Sequence, residues 1–174
     1  KHMKVTGDPD NALFFQNMAF NGALNLEAEP YVKILRDSTL TDDKKKDARS
    51  AYNALNEKAL AYQQAIIAKN PNTLTARMLK AHQIITVPDP PKRADGTIDS
   101  TYQLRWYREH FFDNFDLAEP GLICQSTPLY QNKINEYLDK LFAAHPDSIL
   151  KATEHYISRA KKNQETYKYA TWVT

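Results

Sequence analysis

Between residues 48 and 66 the apolar positions Ala48, Tyr52, Leu55, Ala59, Tyr62 and Ile66 recur at alternating spacings of four and three. Only a helix brings residues so spaced onto one side, and the pattern holds for roughly three heptads before Asn70-Pro71 ends it. A stripe this narrow packs against one or two neighbouring helices. Its Ala and Tyr content is weak for a free-standing coiled coil, so the stripe predicts an intramolecular antiparallel hairpin. Thr41 stands as the N-cap, and Asp42 and Asp43 fall at the positive end of the helix dipole. The rest of the chain agrees with a helical reading. Glycines number only 4, and β-branched alternation is almost absent. The predicted fold is all-α, a bundle or short array of antiparallel helical hairpins.

An earlier helix opens in GDPDNALFFQNMAF, with Asp8 or Asp10 as its cap, Pro9 in the first turn and Leu13, Phe14, Met18 and Ala19 as its stripe. Pro30 is expected to begin a separate short turn of helix, YVKILRD. Two segments, KNPNTLTARMLKA (69–81) and AHPDSILKATEHY (144–156), repeat one arrangement. In each, Pro71 or Pro146 stops a helix, and Thr73 or Ser148, or the Asx before it, caps the next. Two divergent copies do not make a repeat protein.

Between 86 and 98 runs TVPDPPKRADG and its continuation, with Pro88, Pro90 and Pro91 close together. Consecutive prolines hold an extended chain and cannot join a helix, so this is expected to be a stiff tether within one helical domain, 1–174. It divides halves at about 1–85 and 99–174, and Asp95-Gly96 turns the chain into STYQLRWYREHFFDNFD. That segment predicts an aromatic helix capped by Asp99 or Ser100. A further helix starts at Thr127-Pro128 and carries Leu129, Ile134, Tyr137, Leu138, Leu141 and Phe142. Ile149 to Ala160 forms another, and Asn163 caps a last one.

Lys and Arg number 23 against 21 acids, a net charge of +2. That excess is too small to argue for nucleic acid or an anionic membrane. Lys44–Lys46 sits among aspartates and reads as a solvated helix face. No apolar run approaches the roughly 20 residues of a membrane helix. The chain opens Lys1-His2-Met3 and ends inside a helical pattern, so a fragment of a longer chain is expected. Cys124, alone in GLICQS, permits neither an internal disulfide nor a CxxC pair, and is expected to be a partly buried small hydrophobe.

Chemistry needs convergent groups, and the sequence offers few. The histidines are His2, His82, His110, His145 and His155, with no HExxH among them. His110 and Asp113 fall three apart on one helical face, where they would seat a metal or a base with its orienting carboxylate. A plain surface hydrogen bond is the commoner arrangement. Glu109 and Asp113 form an i, i+4 carboxylate pair with no cleft implied, and His145 reads as a helix-terminal residue near the last carbonyls. Neither GxGxxG, GxxxxGK[ST] nor GxSxG occurs. No catalytic residue, metal ligand or cofactor is assigned. Tyr102, Arg105, Trp106, Tyr107 and Arg108 are the candidate partner contacts, because these residue types dominate binding hot spots. The competing reading places Tyr102, Trp106 and Phe112 in the core while the arginines reach water.

VPDPPKRADGTIDSTYQLRWYREHFFDNFD resembles a helical domain of unknown function in Bacteroidetes cell-envelope proteins. There it lies between an N-terminal β-rich domain and a C-terminal thioredoxin-like domain of the thiol–disulfide oxidoreductase type. The likeness extends to KHMKVTGDPDNALFF, KNPNTLTARMLKA and HPDSILKATEHYISRAKKNQETYKY, in order across almost the whole chain. The opening Lys1-His2-Met3 fits the family's pattern before Val5-x-Gly7. The resemblance implies a non-catalytic accessory domain that spaces, orients or dimerises a redox domain in the periplasm or cell envelope. The alternative is a module that presents a bound protein or peptide to that domain. The implied partners are the thioredoxin-like domain of the same chain, a second copy, or a substrate protein. The family's redox chemistry belongs to a CxxC this chain lacks, so no catalytic residue carries over.

Overall fold

The computed structural model describes residues 7–125 and 127–173. The expectations resting on Lys1-His2-Met3 and on His2 lie outside them. The protein is all-α: seven α-helices and one short 3-10 turn follow one another, with a single isolated β-bridge among the described residues. The helices are α1 (Pro9–Arg36), α2 (Asp42–Lys69), α3 (Leu74–Ala81), α4 (Tyr102–His110), α5 (Leu129–Leu141), α6 (Pro146–Ala160) and α7 (Gln164–Val173). The chain divides into two compact units at Leu79/Lys80, inside α3 and ahead of the proline-rich segment.

The first unit is the predicted hairpin. Both α1 and α2 are 28 residues long. Phe20 stacks on Tyr62 with ring centroids 3.8 Å apart, and Glu27 lies 3.8 Å from Lys58. Residue numbers that rise on one helix while falling on the other fix the pair as antiparallel. The predicted stripe faces inward: Ala48 and Ile66 are buried, and Tyr52, Leu55, Ala59 and Tyr62 are half-buried.

Asp8 caps α1 by accepting from the Asp10 amide at 3.0 Å, with Pro9 in the first turn. That leaves Asp10 free to cap another helix. Its Oδ2 accepts from the Leu74 amide at 2.6 Å, its Oδ1 from the Thr75 amide at 3.0 Å, and the Thr75 hydroxyl also donates to Oδ1. Burial pushes the Asp10 carboxyl up, but the Thr75 and Leu74 hydrogen bonds and the Arg77 charge outweigh it and hold the carboxyl below its ordinary value. Thr73 caps α3 as expected, its hydroxyl accepting from the Ala76 amide at 3.2 Å. Thr41 occupies the N-cap of α2 without making a side-chain bond.

Pro30 corrects the sequence reading, because α1 runs straight through it. A proline there gives up the bond to the Leu26 carbonyl, which disfavours a helix without forbidding it. Packing on both sides overrides the local preference: Leu24 is buried before it, and Tyr31, Val32 and Leu35 are half-buried after it.

In the second unit the proline-rich segment ends in a tight loop. The Arg93 amide donates to Thr97 O at 2.8 Å and the Gly96 amide to Arg93 O at 2.9 Å. Gly96 sits at φ +80, the left-handed conformation that a three-residue hairpin loop needs and that glycine adopts without strain. Asp99 then accepts from the Thr101 amide and hydroxyl at 2.9 and 2.7 Å and leads into α4. Thr101, not Asp99 or Ser100, takes the N-cap position.

The expected aromatic helix stops early, at His110. Phe111, Phe112 and Phe115 are all buried, and adjacent residues cannot share one helical face. The chain therefore turns there, with Asp113 N bonding His110 O and Phe115 N bonding Phe112 O. These phenylalanines meet the inner side of α5. Tyr137 packs against Phe112 at 4.7 Å and Phe111 at 5.2 Å between centroids, and Tyr130 meets Phe115 at 5.4 Å. Tyr130 Oη donates to Leu117 O at 2.7 Å, so this buried phenol keeps its hydrogen bond, and burial pushes its pKa up. Ala152, Ala160 and Ala170 are buried, and such small residues let α6 and α7 approach closely.

Two helix starts also differ from expectation. α5 begins at Leu129 behind Pro128, so Thr127 is not its cap. α6 begins at Pro146 with His145 as N-cap, so Pro146 starts this helix rather than stopping α5, and Ser148 lies inside the first turn. His145 thus sits at the positive end of a dipole, not beside last carbonyls as predicted. Asn163 caps α7 as predicted, accepting from the Glu165 and Thr166 amides at 2.9 and 3.2 Å.

Candidate functional site: the face of α4

None of the five candidate contact residues on α4 is buried, and they split into groups with different duties. Tyr102 is half-buried. Trp106 is half-buried and stacks on His110 with ring centroids 4.1 Å apart, and Tyr107 meets the buried Phe111 edge-on at 5.5 Å. The core role expected of Tyr102, Trp106 and Phe112 holds for Phe112 alone.

The arginines do more than reach water. Arg108 Nε donates to Leu141 O at the end of α5, and the guanidinium lies 4.7 Å from the centre of the Phe142 ring. It therefore caps one helix while growing from another. Arg105 is exposed and bonds Asp99 at 3.1 Å. The Thr101 hydroxyl and amide, together with Arg105, hold the Asp99 carboxyl down at about 2 despite some desolvation.

On the Arg105–Arg108 side of α4, a hollow of about 230 Å³ opens between this helix, α5 and α6. Tyr137, Phe142 and Ala152 supply its apolar wall. Its charged residues are Arg105, Arg108 and Lys151 against Glu109 alone. His155 also lines it; its Nε2 is buried without a hydrogen-bond partner, and burial, with Arg159 next, pushes its pKa down against the pull of Glu109. Of the residues that line the hollow, sequence reasoning singled out Arg105 and Arg108 as contacts and missed the rest. Its residues come from three helices, and the one readable signal was the placing of two arginines on a single face of α4.

His110 Nδ1 lies 2.6 Å from Asp113 Oδ2 on the surface, and Arg159 approaches the other Asp113 oxygen at 3.9 Å. The geometry is that of a hydrogen-bonded pair with a cation beside it. No group of three metal-ligating residues occurs among the described residues. Asp113 lies beyond the end of α4, so the Glu109–Asp113 spacing does not describe one helical face.

Cys124 is exposed, which corrects the expectation of a partly buried residue. The cause is the 3-10 turn Pro120–Leu122, which sends Leu122 inward and leaves Cys124 at the edge of a second hollow with Ile123, Lys168, Tyr169 and Trp172. No helix among the described residues is long and apolar enough to cross a membrane. Comparisons with protein-family models, with curated proteins and with solved structures gave no match.

Proposed function

We propose that this chain is a non-catalytic helical accessory domain that spaces and orients a thioredoxin-like thiol–disulfide oxidoreductase domain of the same chain, in the periplasm or cell envelope. The observation that supports this reading is the α1–α2 hairpin. Each of its helices has 28 residues, a length of about 42 Å at 1.5 Å per residue. A rod of that length sets a distance. Its exposed Phe15, Met18, Leu26 and Leu60 give the rod apolar surface with which to meet a neighbouring domain or a second copy.

Sequencing the gene on both sides of these codons tests the proposal. A secretory or lipoprotein signal upstream and a CxxC-bearing domain downstream are the expected result. A stop codon soon after Thr174 overturns it.

A second reading, a helical module that holds a substrate protein or peptide for the redox domain, is favoured by the part-exposed Tyr102, Trp106 and Tyr107. Trp106→Ala is then expected to weaken capture of a reduced, unfolded client at least tenfold while leaving the thermal midpoint within a few degrees. A large fall in that midpoint makes Trp106 a packing residue and removes the reading's support.

A further inference from the structure

The hollow between α4, α5 and α6 carries a surplus of positive charge over an apolar wall, and this combination selects a ligand class. Apolar surface alone would accept any greasy group, and cations alone would collect inorganic anions without shape preference. Here Tyr137, Phe142 and Ala152 form one side, while Arg105, Arg108 and Lys151 outnumber Glu109. Arg105 is partly engaged by Asp99, and Arg108 spends its Nε on Leu141 O. Lys151 is exposed and has no ion pair among the described residues. His155 also lines the hollow, but its Nε2 is closed off from solvent and adds nothing to the charge that a ligand would meet. An acceptor oxygen brought into the hollow would answer the surplus charge.

From this we infer that the hollow is a binding site for a small organic monocarboxylate with an aromatic or branched aliphatic body. Its volume of about 230 Å³ lies below the roughly 300 Å³ at which pockets for drug-sized ligands begin, so the occupant is about the size of one amino-acid residue. The carboxylate lies toward Lys151 and the free guanidinium nitrogens, and the hydrocarbon lies against Phe142 and Tyr137. The inference rests on neither reading of the overall function.

The test uses the whole chain at low salt, titrated with 3-phenylpropionate and, separately, with 3-phenylpropanamide, followed by backbone amide shifts. The acid is expected to move the amides of Lys151, Ala152 and His155 saturably, with Kd on the order of 1 mM, as befits so small a ligand. The neutral amide is expected to bind roughly tenfold more weakly, and added salt to weaken the acid alone. Lys151→Gln changes an exposed side chain. It is expected to lower affinity for the acid several-fold, leave the amide's unchanged and leave the spectrum folded. Equal affinity for acid and amide, shifts confined to other regions, or no saturable shift overturns the inference.

Discussion

Asp10 shows how one carboxylate can do work that the sequence attributes to another place. In sequence it stands beside Asp8 as a rival cap for α1; in the fold it caps α3, with Leu74 and Thr75 as donors. Removing it leaves those amides without their acceptor. Asp10→Ala should therefore cost about 1–2 kcal/mol, read by urea denaturation, and a loss below the error of the fit would contradict the assignment. The pH dependence has a fixed sign. Asp10 and Asp99 both have folded-state values below the ordinary 3.8, and that of Asp99 is about 2. Their stabilisation is complete above the unfolded-state value and fades as pH falls from about 4 toward 2. Asp10→Asn should flatten the stability profile across that window and leave its slope near neutrality unchanged.

At the scale of elements, periodicity was a good guide wherever one helix face met one partner. The α2 stripe, the Asn163 cap and the Asp95-Gly96 turn were legible, and the caps at Asp8 and Thr73 were each legible as one of two alternatives, because such local features depend on neighbours within a few residues. The misreadings at Pro30 and at the end of α4 share a cause in tertiary packing. Pro30 is carried inside α1 by contacts with α2, and α4 is cut short because three phenylalanines are buried from a single irregular stretch. The burial of Tyr130 escaped notice because its partners, Leu117 O and Phe115, lie on a loop. Beyond Arg105 and Arg108, the lining of the hollow beside α4 was invisible for the same reason, since Lys151 and His155 come to Arg108 only through folding. Pro30 also yields a prediction. Replacing it restores an amide and relieves the clash with the Leu26 carbonyl, while the unfolded chain gains some freedom. Pro30→Ala should stabilise the protein by about 1–2 kcal/mol. A fall in the denaturation midpoint would show that the proline has a packing role of its own.

The two compact units of the whole molecule are unequally provided with core. Residues 7–79 bury few large side chains, chiefly Leu24 and Ile66, and lean on a long shared seam. Residues 80–173 bury Phe111, Phe112, Phe115, Ile134, Tyr137 and Tyr156. Apolar burial contributes roughly 25 cal/mol per Å², so the aromatic unit holds most of the stabilisation. Residues 80–174 expressed alone should unfold in one sharp calorimetric transition, and residues 1–79 in a broad, shallow one. The reverse result would mean that the hairpin carries more stability than its buried residues indicate.

The hollow beside Cys124 has a practical consequence. The chain's one thiol is exposed and shares that hollow with Trp172 and Tyr169 of α7. A fluorophore attached there would sit beside an indole that quenches many dyes on contact. When α7 detaches, the indole leaves and the dye brightens. A single round of maleimide labelling, with no engineered residue, thus turns the protein into its own optical reporter of how often its last helix lets go.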